Sequence, residues 1–170
     1  MHDLSLLLQN GLVFGLVLSL VIGIGFSGLA LVNPEIWLKD YPPDIQARFG
    51  PASQKAQRQR NFFGIPIFGL MLAILVAALI RLGIAKGAPL NFIEAFLTIF
   101  IVMMVFNLVD LLVLDWLLFI AIRPRLVILP GTEGSKGYKD YGFHLRAFFK
   151  GTIGSLLISA IAAGLVLLVQ

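Results

Sequence analysis

The sequence contains no cysteine. This absence excludes disulfides, thiolate-bound metals, cysteine nucleophiles and dithiol redox chemistry. Histidine is nearly as scarce, since the chain has only His2 and His144. No second histidine accompanies His144 at the spacing of a metal-binding pair, so the sequence predicts neither a metal site nor a bound cofactor.

Charged residues are also scarce. They make up 13% of the chain, and 59% of it is hydrophobic, whereas a soluble domain has about 25% charged and about 45–50% apolar residues. Most of the protein's surface must therefore be surrounded by lipid. The net charge of +4 arises in loops beside apolar runs and not on a basic soluble face, so membrane lipids are expected partners and nucleic acid is not.

Four apolar runs are long enough to cross a bilayer as helices, because about 20 helical residues span the hydrocarbon layer. Proline ends the first run at Asn33-Pro34, where a helix cannot continue normally. The sequence predicts an all-α membrane protein, a four-transmembrane-helix bundle in a single domain, 1–170. The predicted spans are 12–32, 62–80, 92–122 and 151–169, and the polar loops between spans are 33–61 and 123–150.

The basic residues favour one orientation in the membrane. The loop 33–61 contains five Lys or Arg residues and the loop 123–150 contains six, whereas the opposite side has only Arg81 and Lys86. Basic residues are retained on the cytoplasmic side of a membrane. Both loops are therefore predicted to face the cytoplasm, and both termini the outside.

Small residues recur at every fourth position in the first span and again in the fourth. They are Gly11, Gly15, Ser19, Gly23 and Ser27, and then Gly151, Ser155, Ser159 and Ala163. Residues four apart share a helix face, and small side chains let another helix approach closely. The pattern predicts a close helix pair within the chain, or a contact with a second copy or another membrane protein.

The third span contains three polar side chains, Asn107, Asp110 and Asp115. An aspartate at the centre of a span costs about 2.5–3.5 kcal/mol on insertion, so two of them suggest a role. In an α-helix Asn107 and Asp110 share a face, whereas Asp115 lies about 140° round the axis from Asp110. We expect Asp115, nearer the helix end, to pair with Arg123, Arg125 or another cation of the next loop, and the deeper Asp110 to serve function.

The loop 123–150 supplies further polar candidates. An enzyme would gather acids, a base and phosphate-facing arginines here, at the cytoplasmic mouth of the bundle. The candidate catalytic residues are Asp110, Asp115, Asp140 and His144, and the polar site would include Asn107, Glu133, Arg123, Arg125 and Arg146. The alternative is an interfacial anchor, because aromatic rings alternating with Lys and Arg suit the headgroup layer.

Four motifs mark the last third of the chain: Asn107-Leu-Val-Asp110-Leu-Leu-Val-Leu-Asp115-Trp116, Arg123-Pro124-Arg125, Leu129-Pro130-Gly131-Thr132-Glu133-Gly134 and Tyr138-Lys139-Asp140-Tyr141-Gly142-Phe143-His144. Together they resemble a group of small bacterial four-span membrane proteins. The resemblance implies a bacterial cytoplasmic membrane. It implies no particular activity, because none is established for that group.

Three functions are compatible with these residues. The first is a binding, assembly or structural component of the membrane. The second is a membrane-embedded enzyme acting on a lipid headgroup or a phosphorylated carrier, which requires Asp115, Asp140 and His144 to converge on an open cleft. The third is an oligomeric proton or cation pathway, which requires Asn107 and Asp110 to line a polar interior.

Overall fold

The computed structural model describes residues 2–169, with side chains described for residues 4–169. No strand occurs in this part of the chain, and four of its helices are long and apolar enough to cross a membrane. The predicted all-α membrane protein with four spanning helices is thus confirmed. The expected placement of the two terminal residues, Met1 and Gln170, lies outside the described residues.

The helices follow the chain with short connections. Their bounds are α1 His2–Val32, a 3-10 helix Pro34–Asp40, α2 Pro43–Phe49, α3 Gln54–Lys86, α4 Phe92–Val109, a π-helix Asp110–Ile122 that continues α4, 3-10 helices Arg125–Val127 and Lys136–Lys139, and α5 Tyr141–Val169. The spanning helices are therefore α1, α3, α4 with the π-helix, and α5. Helices α3 and α5 begin well before the predicted spans at 62 and 151.

Local capping explains where α3 and α4 begin and where α3 ends. The Ser53 hydroxyl accepts a hydrogen bond from the Ala56 N–H (3.2 Å) at the start of α3. Asn91 and Glu94 form a reciprocal capping box at the start of α4, which satisfies N–H groups that a helix start leaves free. Gly87 ends α3 with φ +68°, a left-handed conformation that glycine adopts without strain.

Helix α4 is the central helix of the bundle. It packs along α1 and α5, while α3 packs mainly on α1 and less on α4. The buried core between α1, α3 and α4 consists of Leu18, Ile22, Ile74, Leu75, Ala78, Ile99, Val102 and Met103. Large apolar side chains such as Ile65, Ile84 and Leu168 point outward, as expected of a surface that lipid covers.

The small residues of α1 lie against α4, but only in the first half of the series. A Cβ atom added at Gly11 would lie 2.6 Å from Ile101 Cγ2, and one added at Gly15 would lie 2.5 Å from Val105 Cβ. The same addition at Gly23 meets nothing closer than 3.9 Å. The close helix pair is therefore formed within the chain by the part of α1 around Gly11 and Gly15.

The small residues of α5 are buried in the same way. Ser155, Ser159 and Ala163 are almost fully inaccessible, and α5 packs mainly on α4. The Ser155 and Ser159 hydroxyls donate to carbonyl oxygens one turn earlier in α5 (2.8 and 2.6 Å). Because these hydroxyl groups make their hydrogen bonds within α5, they need no partner on α4. The small side chains therefore let α4 pack closely on this face of α5.

The two polar loops fold against each other at one end of the bundle. Leu38, Tyr41 and Ile45 of the first loop form a buried cluster with Leu129 and Tyr138 of the second. We call this unit, residues 33–53 and 123–140, the loop cap. Neither loop is long enough to bury a core alone, and the shared cluster gives them one.

Hydrogen bonds hold the loop cap together. The Tyr41 hydroxyl donates to the Val127 carbonyl (2.9 Å), and the Gly137 N–H donates to the Asp44 carboxylate (2.8 Å). A Cβ atom at Gly137 would overlap Asp44 Oδ1 and lie 2.7 Å from Pro42 Cβ. Glycine is therefore required at 137 by the close approach of the first loop.

The contact between α1 and α4 predicts opposite results for two alanine substitutions in one helix. Gly15→Ala should lower the free energy of unfolding by about 1–3 kcal/mol, because overpacking forces the helices apart. Gly23→Ala should leave it unchanged or raise it by less than about 1 kcal/mol, since alanine favours the helix. Thermal unfolding in one detergent measures both, and equal midpoints for the two variants would contradict the close approach at Gly15.

Candidate functional site

The π-helix changes how the two aspartates of the third span are related. In a π-helix the N–H of residue i+5 bonds to the carbonyl of residue i, so residues five apart are closer in angle than they are in an α-helix. Asp110 and Asp115 both belong to Asp110–Ile122. The expected separation of about 140° assumed α-helical geometry, so it does not apply to this segment, where the two aspartates lie closer in angle about the helix axis.

Asp115 pairs with His144. The Asp115 Oδ1 atom lies 2.9 Å from His144 Nδ1, and the two side chains are 24% and 5% exposed. The contact is a hydrogen bond when the imidazole is neutral and an ion pair when it is protonated. It joins the π-helix to the first turn of α5, so the expected partner from the second loop is this histidine and not Arg123 or Arg125.

Aromatic rings enclose the imidazole. The rings of Phe119 and Phe143 each have centroids 5.2 Å from that of His144. Three buried side-chain nitrogens in the described part of the chain have no hydrogen-bond partner, namely Trp116 Nε1, Arg123 Nε and His144 Nε2. With Nδ1 directed at a carboxylate, Nε2 is the nitrogen of His144 without a partner, and it is able to accept a hydrogen bond when the ring is neutral.

Two further acids lie near this pair. Asp110 is close enough to Asp115, His144 and Asp40 to interact with them electrostatically. Partial burial raises the pKa of Asp40, and the negative charge of Asp115 adds to the effect, while Arg60 and Lys39 oppose it. Asp40 of the loop cap thus lies near the aspartates of the third span.

Asn107 forms hydrogen bonds between two helices of the bundle. Its amide donates to the Phe148 carbonyl (2.9 Å) and to the Thr152 hydroxyl (3.3 Å). A Cβ atom at Gly151 would lie 2.6 Å from Asn107 Oδ1, so the missing side chain of that glycine gives the amide its space. Asn107 therefore bonds α4 to α5.

Arg123 ends the third span. It has φ +44°, a left-handed conformation that is rare outside glycine. Its N–H donates to the Leu118 carbonyl (2.9 Å) and its guanidinium to the Ile120 carbonyl (3.0 Å). These bonds satisfy carbonyl groups that a helix end leaves free, which explains why Arg123 does not turn to Asp115.

The remaining predicted residues do not join the pair. The Asp140 carboxylate accepts a hydrogen bond from the Phe143 N–H (2.8 Å) at the start of α5 and lies 3.8 Å from the Arg146 guanidinium. Arg125 and Glu133 are exposed. Of the predicted polar site, the structure thus brings together Asp110, Asp115 and His144.

The candidate residues do not line the small cavities. The described residues enclose small cavities of about 10 Å³, beside Leu82 and Glu94, and about 30 Å³, beside Ile36 and Arg60. Neither is lined by Asp115 or His144. Within residues 4–169 no group of three His, Asp or Glu side chains could hold a metal ion.

Two buried polar clusters were not predicted from the sequence. Asn10 is fully buried; its amide donates to the Ala78 carbonyl (2.9 Å) and its oxygen accepts from Arg81 (2.8 Å). Its signal was the pair of amides Gln9-Asn10 directly before Gly11, but the predicted span began two residues after Asn10. In the loop cap the Tyr138 hydroxyl bonds to the Leu129 N–H (2.9 Å) and the Thr132 hydroxyl (2.7 Å).

Comparisons with known protein families, with curated proteins and with solved structures find no significant match for this chain. The function must therefore be inferred from the geometry alone.

The Asn107 contact predicts opposite results for two neighbouring glycines of α5. Gly151→Ala should lower the thermal unfolding midpoint, because the new methyl group meets Asn107, whereas Gly154→Ala should not, since nothing lies within 4 Å of its added Cβ. Adding Asn107→Ala should reduce the cost of Gly151→Ala, since residues in contact are not additive. Full additivity of the two substitutions would show that the amide does not occupy this space.

Proposed function

We propose that the protein is a binding, assembly or structural component of a bacterial cytoplasmic membrane. The observation that carries this proposal is that polar groups of the third span are bonded to α5. Asn107 reaches the α5 backbone and Asp115 reaches His144. Side chains committed to holding two helices together are poorly placed for turnover, and neither of the two small cavities among the described residues is lined by Asp115 or His144.

The loop cap is proposed to face the cytoplasm, with both chain ends outside. Two observations support this orientation. Most basic residues belong to the two loops. At the opposite end of the bundle the described basic residues are Arg81, bonded to Asn10, and Lys86, bonded to Glu94 (2.6 Å), and the side richer in Lys and Arg is favoured to be cytoplasmic.

A second candidate is the membrane-embedded enzyme, acting on a lipid headgroup or a phosphorylated carrier. One observation favours it: His144 Nδ1 is directed at a carboxylate while Nε2 has no partner among the described residues. A carboxylate that orients a histidine is the arrangement of a general base. This function requires Phe119 or Phe143 to move, because both rings cover the imidazole.

The two candidates predict different effects on stability. For a structural pair, Asp115→Ala and His144→Ala should each lower the free energy of unfolding by about 1–3 kcal/mol, since each leaves a buried group without its partner. The double variant should cost less than the sum of the two. Groups kept for catalysis often cost stability, so removing them leaves stability unchanged or higher.

Glu133→Ala is the matched control for these variants, because it removes an exposed acid of the loop cap. The measurement is thermal unfolding in one detergent. If Asp115→Ala and His144→Ala are as stable as Glu133→Ala, the structural role is wrong and the enzyme becomes the better candidate.

The orientation is tested by labelling single cysteines, since the chain has none of its own. Ala85 and Glu133 are both exposed and lie at opposite ends of the bundle. In intact cells a membrane-impermeant maleimide should label Ala85→Cys and not Glu133→Cys, and after the cells are opened it should label both. The reverse pattern in intact cells would overturn the proposed orientation.

A further inference from the structure

Lys150 lies on the outer face of α5. Its side chain is exposed and makes no hydrogen bond or ion pair with any described residue. The other cation of this part of the helix, Arg146, already lies 3.8 Å from the Asp140 carboxylate. The side of α5 that packs on α4 carries Gly151 and the buried Ser155, and Lys150 lies about 100–140° round the helix from both. The lysine therefore points away from the bundle.

Asn107 sets the depth of Lys150. Its amide bonds to Phe148 and Thr152, which lie two residues before and two residues after the lysine. The apolar layer cannot begin before Phe92, the first residue of α4, because loop backbone exposed to lipid would lack hydrogen-bond partners. From Phe92 to Asn107 the helix rises about 22 Å. A layer about 30 Å thick that begins there ends about 8 Å beyond the level of Lys150, and a later start puts that boundary further away.

A lysine at this depth needs a partner. Charged side chains within spanning segments are costly, and they almost always pair with another group. Lysines that reach the headgroups by snorkelling lie near helix ends, whereas α5 continues for nine residues on one side of Lys150 and for nineteen on the other. The described residues do not supply the partner, so we looked for a surface that would admit one.

The surface around Lys150 fits a neighbouring helix. Ala147, Gly154, Leu157 and Ile161 share its face of α5, at alternating steps of three and four residues. This is the spacing at which two helices pack side by side. Leu157 and Ile161 are more than 60% exposed, and nothing lies within 4 Å of a Cβ atom added at Gly154. The small residues on either side of Lys150 would let another backbone approach closely. We call these five residues the outer stripe.

A second copy of this chain does not supply the matching charge. Two copies that packed through the same stripe would bring Lys150 beside Lys150, and like charges repel. Among the described acids of the spanning helices, Glu94 and Asp115 are already bonded within the chain, and Asp110 lies beside Asp115. The partner of Lys150 is therefore expected on a different protein.

We propose that the outer stripe binds a spanning helix of another membrane protein, and that Lys150 pairs there with an aspartate or glutamate of that helix. The inference rests on the proposed binding or assembly role and names the chemistry of the partner. A charge pair between the two helices satisfies both groups in a layer where neither has water to bind.

The experiment uses two synthetic spanning peptides as probes. Each is a helix of about 22 leucine and alanine residues, with a central glutamate in one peptide and a central glutamine in the other. Binding of each peptide to the full-length protein is measured by fluorescence energy transfer in phosphatidylcholine vesicles. Lys150→Met removes the charge and Lys150→Arg keeps it. Lys139→Gln is the matched control, because it removes an exposed lysine of the loop cap.

The wild-type protein should bind the glutamate peptide about fivefold to thirtyfold more tightly than the glutamine peptide, from the strength of polar contacts between helices in membranes. Lys150→Arg and Lys139→Gln should keep this preference, and Lys150→Met should lose it. A photoreactive side chain at Leu157 (62% exposed) should crosslink to the glutamate peptide. The same side chain at Leu20 of α1 (64% exposed) should not.

Four results would overturn the proposal. They are equal binding of the two peptides, a preference that survives Lys150→Met, equal crosslinking from Leu157 and Leu20, and loss of the preference in phosphatidylglycerol vesicles. The last result would show that Lys150 reaches an anionic headgroup instead. The stability of Asp115→Ala and His144→Ala tests the proposed function separately, since Lys150 bonds neither residue.

Discussion

A polar side chain inside a bilayer has no water to bind and must find its partner within the protein. In this protein that requirement falls mostly on the third span. Asn107 meets it by bonding the α5 backbone, and Asp115 meets it by bonding His144. Helix α5 packs mainly on α4 and the π-helix, so these polar contacts fix the position of the whole last helix, and through it the end of the loop cap, which α5 follows directly.

The fold was predictable because long apolar runs identify the segments that lipid must surround. Four apolar runs of sufficient length leave few alternatives to four spanning helices. The same reasoning misplaces helix ends, since helices do not stop where lipid stops. Residues 54–61 and 141–150 are rich in polar groups yet continue α3 and α5, and Ser53 and Asp140 supply the capping bonds at their starts.

The candidate site was predictable only in part. The sequence identifies Asp110 and Asp115 by the cost of burying a charge in lipid, and His144 by its scarcity. It does not show that Asp115 meets His144, because that contact depends on the π-helix and on the early start of α5. Arg123 is the nearer cation along the chain, but the left-handed turn at its own backbone directs it to the end of the helix. The loop cap was missed for a similar reason, since Tyr41 and Tyr138 meet only after both loops fold.

The π-helix has a mechanical consequence. An α-helix and a π-helix of one sequence differ by a single step in hydrogen-bond register, so conversion between them turns the following residues about the axis like a screw. A return of Asp110–Ile122 to α-helical register would carry Asp115 round to about 140° from Asp110 and away from His144. The register of this segment therefore determines whether Asp115 reaches His144, whereas the Asn107 bond to α5 lies before the π-helix and does not depend on its register.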